Sequence, residues 1–415
     1  MQQKLFEHRL ANGLVILGER MPWLESAAFT FMLPGGTCRE PERLAGLAGL
    51  TLELSQRGAG PLSSREVVER LDFLGVERSS HVSTFYTTMS MAGMASVLRP
   101  TLEIAASILL APHFPEAELE EARQSALLEL ASIEDDPAQK CFKELKQLRF
   151  GELFGRSSLG SEEGLNAVEL EDCVRFHTTF CKPRGAVLAL AGNFDWDEVV
   201  RNIESFFSTW SGASDPEPGP VVPHRGAVHL PHDSQQTHIA LAYDAVPYNH
   251  PEYYRGRGIV GILSDGMSSR LFTEVREKRG LVYAVSASSH SLKNCGSVLC
   301  YAGTTSNRAQ ETLEVTIDTI QAIRNGIEKD ELSRLKSRVQ TSLVMEQESS
   351  SSRSSQIAYD WMYLGRVPTR QEVLEEIHSL TCESLLKHFY EHPPRGWTLV
   401  TIGPQALEFS HAVST

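Results

Sequence analysis

The sequence lacks the cysteine pattern of a disulfide-stapled or zinc-ribbon protein. Its seven cysteines (Cys38, Cys141, Cys173, Cys181, Cys295, Cys300 and Cys382) are odd in number, scattered, and include no C-x-x-C pair. That arrangement fits reduced, separately placed thiols, and Cys295 and Cys300 read as small residues in a strand region. Positive charge is also short: 39 basic against 53 acidic residues give a net charge of -14, which opposes attraction to nucleic acid or to an anionic membrane. No uncharged run approaches a membrane span, and the stretch from Met1 to Leu10 has no apolar signal core, so a cytoplasmic location is the expectation. There is no Gly-x-Ser-x-Gly elbow and no Cys and His pairing suited to nucleophilic catalysis. The run Ser350 to Ser355 reads as a polar loop or helix interruption.

What is present belongs to an ordinary soluble globular chain. Of 415 residues, 41% are apolar and 22% charged, and the length exceeds what one hydrophobic core usually supports. The composition shifts once, at residues 211–223, where four prolines leave few groups able to join a ladder or pack a core. This predicts two domains, 1–210 and 224–415, joined by a linker at 211–223. The two halves read as an internal repeat.

In the first half, strand formers at 13–18 and 26–33 precede a helical stretch from about 42 to 56. Ser63 and Glu66 form a capping box with Leu62 and Val67 as a staple, announcing a second helix. Alternation predicts antiparallel strands around 77–93, then helices at 98–110 and from Pro115 to about 133, where Glu134-Asp-Asp-Pro interrupts. The second half repeats this order: a strand at 238–243, helices at 253–263 and 268–279, a stop at Gly280, strands at 281–287 and 297–302, and helices at 308–325 and 329–348. The expected fold class is α+β, with two similar domains of about 200 residues, each an antiparallel sheet covered by helices. His224, His229, His232 and His238 form the densest histidine group, but without the one-turn spacing of a zinc helix they read as scattered surface histidines.

Several passages together resemble the pitrilysin or insulinase-like metallopeptidase family, in its branch similar to mitochondrial processing peptidase. They are Leu10-Ala-Asn-Gly-Leu-Val-Ile, Gly35-Gly-Thr-Cys-Arg-Glu-Pro, Glu134-Asp-Asp-Pro, Ala191-Gly-Asn-Phe, Val400-Thr-Ile-Gly-Pro and, most specific, the passage from Gly266 to Tyr283. The resemblance covers almost the whole chain. It implies a zinc helix carrying His-x-x-Glu-His, whose frame falls on residues 46–60. There the histidines and the catalytic glutamate are replaced by Gly49, Glu53 and Leu52. Of the implied zinc ligands only the distant carboxylate has a counterpart, Glu129, and a single carboxylate does not hold zinc. Glu53 and Glu129 therefore read as solvated or paired helix glutamates, and no metal is expected in this chain. The Asn-Ala pair that active relatives carry on a substrate-aligning edge strand is replaced by Ser79 and Ser80, with Thr87 retained.

Arg276 falls in the last turn of a predicted helix, and Tyr283 lies beyond Gly280 on the next strand. Spacing alone fits a cation at a helix carboxyl end and a half-buried strand tyrosine as well as a binding pair. The resemblance implies substrate binding, a role suited to a planar fork of donors and a phenol hydroxyl. It also implies a site assembled between two such chains. The expectation is a non-catalytic subunit of a heterodimeric peptidase acting on unfolded peptides or leader sequences, inactive alone, with zinc and general base supplied by a partner chain. The alternative is a homodimeric peptide-binding or structural core protein without peptidase activity. The glycine-rich loop of a presequence-recognising regulatory subunit is missing, since Ser264-Asp-Gly-Met-Ser is short.

Overall fold

The computed structural model describes residues 3–214 and 218–409; positions 215–217 of the expected linker lie outside it. The chain forms two compact units, and neither is continuous in sequence. One is built from the segment ending at Ala131 with Arg156–Pro218 and Leu343–Arg370; the other comprises Ser132–Gly155, Gly219–Ser342 and the segment from Gln371. The division expected at 211–223 thus differs from the compact units by two exchanged helices. Pro137–Phe154, from the first half, packs on the second sheet, and Ser350–Leu364, from the second half, packs on the first.

The first unit contains strands β1 (Leu5–Arg9), β2 (Val15–Arg20), β3 (Ser26–Pro34), β4 (Glu77–Val82), β5 (Tyr86–Met94) and β6 (Val187–Gly192), ordered β1-β2-β6-β3-β5-β4. The second contains β7 (Gly226–Pro231), β8 (Gln236–Ala245), β9 (Val282–Leu292), β10 (Cys295–Thr305) and β11 (Thr398–Gly403), ordered β7-β11-β8-β10-β9. The α+β class holds, but both sheets are mixed: β2 pairs parallel with β6, and β7 with β11. The reason is topological. β6 and β11 each return from a long helical excursion and insert beside an early strand, a connection that permits parallel pairing.

Burial explains the sequence of those two strands. Every residue of Val187-Leu-Ala-Leu-Ala-Gly and of Thr398-Leu-Val-Thr-Ile-Gly is buried, as a strand covered on both faces requires. On one face of the first sheet, Phe29, Phe31, Leu188 and Leu190 share a core with Leu102 and Leu109 of helix Leu98–Leu110 and Ile203 and Phe207 of helix Trp196–Phe207. The exchanged helix Ser350–Leu364 covers the other face. In the second unit, Leu399 joins the main core, while Val400 and Ile402 meet Cys141 and Leu145 of the exchanged helix Pro137–Phe154.

The serine run is therefore not a loop. Ser350 to Ser355 forms the first turns of the exchanged helix, with Ser349 as its N-cap bonding Ser352 N. Its small side chains allow close approach to β3, and their hydroxyls find partners there. Ser350 Oγ lies 3.0 Å from Ser26 Oγ, and Ser354 Oγ lies 3.0 Å from Thr30 Oγ1. Local composition read as a solvated loop because the sheet that satisfies these hydroxyls is about 320 residues away in the chain.

Each exchanged helix also carries a buried arginine that bonds an acid on the sheet receiving it. Arg353 Nε donates to Glu19 Oε2 of β2 at 2.6 Å, and its Nη1 reaches Glu346 at 3.1 Å. Arg149 is fully buried; it pairs with Asp244 of β8 and donates to Ser297 Oγ and to the carbonyl oxygens of His224 and Gly396. Removing one partner of such a pair strands the other charge in the interior. Arg353→Ala should accordingly lower unfolding free energy by about 3–5 kcal/mol in denaturant titration. Glu19→Gln, which leaves the buried Arg353 guanidinium with Glu346, should cost a comparable amount, and an unchanged stability in either variant would contradict this account.

Candidate functional site

In the first unit, the passage Gly35-Gly-Thr-Cys-Arg-Glu builds the approach to the motif helix, Leu47–Ser55. Gly36 lies so close to the backbone of residues 83–85 that a Cβ there would sit 2.4 Å from Ser83 O. Glu40 is buried and receives hydrogen bonds from Ala48 N at 2.8 Å and Gly46 N at 3.2 Å, capping the helix start. Arg156 donates to Thr37 O and Glu40 O and stands 3.8 Å from the Glu40 carboxylate. Burial outweighs these favourable contacts and raises the Glu40 carboxyl to about 7.

The three positions of the altered motif follow on that helix. Gly49 offers no donor, although a Cβ there would meet nothing closer than Ser158 O at 3.5 Å. Leu52 is half-buried, and its carbonyl accepts from Ser55 Oγ and Gln56 Nε2. Glu53 is exposed and bonded to Arg57, whose guanidinium also contacts Glu118 at 3.3 Å and Glu121 at 3.2 Å. Glu129 lies on the exposed side of helix Glu116–Glu134. A zinc ion needs three or four N, S or O donors at once. Here one position has no side chain and one is a hydrocarbon, so the motif helix offers a single carboxylate, Glu53. These residues do not fit zinc.

β4 occupies the edge of the first sheet, pairing with β5 alone. Ser79 stands opposite Ser90 and Ser80 opposite Met89, and Gln56 Nε2 donates to Ser80 Oγ at 3.1 Å, linking the motif helix to the edge. Thr87 Oγ1 donates to Gly35 O at 2.8 Å, so this residue supports the turn before the motif helix.

In the second unit the structure brings Arg276 and Tyr283 together. The helix expected at 268–279 is π-helical over Phe272–Glu277, where Lys278 N donates to Thr273 O five residues back. Gly280, at φ +57, reverses the chain, and Leu281 N returns to Val275 O. β9 begins at once as the edge strand of its sheet, with a bulge: Thr304 pairs with Val282 and Gly303 with Ala284, which leaves Tyr283 as the extra residue. The bulge turns its ring outward, so that Tyr283 is 85% exposed rather than a half-buried strand tyrosine. The guanidinium of Arg276 lies 5.2 Å from the Tyr283 ring centre and 4.8 Å from that of Phe272. Such stacking fixes a cation without consuming its donors. Lys278 and Arg279 pair with Glu274, and Arg270 with Glu331, whereas Arg276 makes no ion pair among the described residues. The hydrogen bond from Lys278 holds the Glu274 carboxyl below its ordinary range.

The remaining sequence candidates have their own neighbours. His229 Nδ1 bonds Thr401 Oγ1 at 2.9 Å, His238 Nδ1 bonds Tyr301 OH at 2.7 Å, and His224 holds Arg149 through its backbone. All seven cysteines are free, Cys295 and Cys300 both lie on β10, and burial raises the Cys300 thiol to about 12. No helix among the described residues is long and apolar enough to cross a membrane. Sequence reading missed Phe272 as the second face of the Arg276 stack and missed the bulge; a register change across two strands has no local signature.

Two family descriptions match the sequence: insulinase (peptidase family M16) over residues 15–158 and peptidase M16 inactive domain over 167–339. The chain belongs to the insulinase family of peptidases. Among curated relatives, a Bacillus subtilis protein described as an uncharacterized zinc protease is 26% identical over 90% of this chain and 91% of its own. One from Rickettsia bellii with the same description is 23% identical over 98% of this chain and 99% of its own. Among solved structures, a peptidase M16 inactive domain from Pseudomonas fluorescens superposes with a TM-score of 0.90 at 19% identity, over 98% of this chain and 99% of that one. A protease from Helicobacter pylori does so at 0.89 and 18%, over 97% and 100%. These superpositions establish the two-unit fold of the family.

Two predictions follow from the motif helix itself. Gly49→Ala should raise unfolding free energy by about 0.5–1 kcal/mol, because a mid-helix glycine with room for a Cβ gains helix propensity at no steric cost; a loss in thermal or chemical denaturation would show that the position is constrained. The raised Glu40 carboxyl keeps its proton in the folded state between 4.5 and about 7. Its contribution to stability is complete below 4.5 and is lost as pH rises through about 7. His177 and His290, lowered by burial to about 4, act in the opposite sense over the overlapping window. The difference in unfolding free energy between wild type and Glu40→Gln should therefore shift against the wild type as pH rises from 4.5 to 7, and a pH-independent difference would refute the assignment.

Proposed function

We propose that this chain is the zinc-free subunit of a heterodimeric peptidase, in which Arg276 and Tyr283 bind the substrate while a homologous partner chain supplies zinc and the general base. The observation that carries this reading is the contrast between the two units. At the altered motif, Glu53 is absorbed into an ion-pair network that no metal or substrate needs. At Arg276 and Tyr283, a guanidinium is held by stacking with its donors unused, beside a phenol turned outward by a bulge. In this reading, the fork of Arg276 binds a substrate backbone carbonyl, and the Tyr283 hydroxyl donates to the oxygen that gains charge as the carbonyl is attacked. Substrates are unfolded peptides or leader sequences, taken as extended strands. The chain alone, which lacks a metal-activated water and a base at position 52, is proteolytically inactive.

The test is co-expression with a zinc-bearing family member encoded beside it. The reconstituted complex should cleave unfolded peptides, and replacing Arg276 with Ala and Tyr283 with Phe together should lower kcat/KM by about 100-fold, the scale of removing an oxyanion donor, without dissociating the complex. An unchanged rate would overturn the proposal. A stable homodimer with no affinity for any zinc-bearing relative would point instead to a peptide-binding or structural core protein.

A further inference from the structure

A second group of potential ligands lies in the second unit, away from the altered motif and independent of the function just proposed. Helix Cys382–Glu391 runs into His392, and its final turn reads His388-Phe-Tyr-Glu-His392. His392 N donates to His388 O at 2.8 Å, so one helical turn separates the two imidazoles and both rings face the same side. Opposite them stands Glu252, the N-cap residue of helix Tyr253–Ser264. Glu252 Oε2 lies 2.8 Å from His388 Nδ1 and 3.3 Å from His392 Nε2, and the three ligand atoms all lie within 4.8 Å of one another.

The surroundings orient each donor. Arg255 pairs with Oε1 of Glu252, which leaves Oε2 for the histidines and fixes the carboxylate plane. Gly256 packs against His388, where a Cβ would come within 3.2 Å of Nε2, so the other nitrogen, Nδ1, faces the cluster. The backbone N–H of Glu252 donates to His250 Nδ1 at 3.1 Å, and the His250 ring meets that of His392 edge to face at 5.6 Å. The side chains of His388 and Glu252 are 5% and 18% exposed, against 35% for His392, so the group is closed on the protein side and open at His392.

We infer that Glu252, His388 and His392 form a binding site for one divalent transition-metal ion of the zinc class. Two imidazole nitrogens and one carboxylate oxygen are the donors such ions prefer. A tetrahedral ion with ligands at about 2.0–2.1 Å places neighbouring ligand atoms about 3.3 Å apart; the carboxylate-to-imidazole separations of 2.8 and 3.3 Å are near that, and the two imidazole nitrogens, within 4.8 Å of each other, draw together on binding. Binding exchanges the proton shared by His388 and Glu252 for the ion, with His388 moving its proton to Nε2. Three protein ligands leave a further position for water on the exposed side. Glu391 lies 3.7 Å from Lys387 and is half exposed, so it is not counted among the ligands.

Titration of the full-length, untagged chain with Co(II), followed by visible absorption, and with Zn(II) against a chromophoric chelator tests the site. The expected result is one equivalent bound, with the intense visible bands of a four- or five-coordinate cobalt ion. His392→Ala and Glu252→Gln should each weaken binding at least tenfold, while His232→Ala, in the dispersed histidine group, leaves it unchanged. His392 is the most exposed of the three ligands, so its loss should leave the circular dichroism spectrum native. Absence of stoichiometric binding by the wild type would reduce the triad to a hydrogen-bonded tie between two helices and overturn the inference. Wild-type affinity in both ligand variants, or loss of binding in His232→Ala, would overturn it equally.

Discussion

One interior strand of each sheet, β6 and β11, has no face left for water, and the rest of the architecture depends on that constraint. A fully buried strand requires a cover on both sides, and the helices nearest in sequence supply only one. The second cover comes from the opposite half of the chain, through Pro137–Phe154 in one unit and Ser350–Leu364 in the other. Each covering helix brings a buried arginine to an acid on its receiving sheet, Arg149 to Asp244 and Arg353 to Glu19. Such a pair adds little net energy over apolar packing but strongly disfavours any docking that leaves one charge unmatched. The exchange thus fixes register as well as burial, and it makes each unit depend on a segment from the other half of the chain.

Helix Leu47–Ser55 is likewise held by contacts from outside it. Gly36, Glu40 and Arg156 form the approach to helix Leu47–Ser55 through close backbone packing, amide capping and carbonyl hydrogen bonds. None of those interactions involves a metal. Positions 49, 52 and 53 take no part in those interactions. Arg57 then supplies the countercharge that Glu53 needs, drawing in Glu118 and Glu121 as well.

Much of this was legible in the sequence, and the divide between what was and was not is physical. Strand periodicity, the Ser63 and Glu66 capping box, and the helix stop at Gly280 are local, and all appear where expected. The convergence of Arg276 and Tyr283 followed from a helix, a glycine reversal and a strand within eight residues. What escaped reading depends on partners distant in the chain. The serine run reads as a polar loop or helix interruption because its hydroxyls bond to β3, far away in the chain; a break does separate helix Lys329–Glu346 from the helix that the run begins. Two helices cross between the compact units, which a continuous division at 211–223 does not show. Tyr283 stands outside the pleat because of a register step against β10, and Glu252 meets His388 across 136 residues. The one-turn spacing of His388 and His392 was visible, but only the fold places a carboxylate opposite.

Arg276 is held differently from Arg57 and Arg270. A guanidinium fixed by a carboxylate has its donors directed and its charge cancelled, as Arg57 and Arg270 do. A guanidinium stacked between Phe272 and Tyr283 has its plane fixed while its edge stays open, so orienting it costs little further side-chain entropy when a carbonyl arrives. The bulge complements this by removing Tyr283 from the inward and outward alternation of β9 and leaving its hydroxyl unpaired among the described residues. The β9 ladder is broken at Tyr283, and the ring stays exposed instead of packing. Arg276, Phe272 and Tyr283 thus meet at one sheet edge, whereas in the first unit Glu53 is taken up by Arg57.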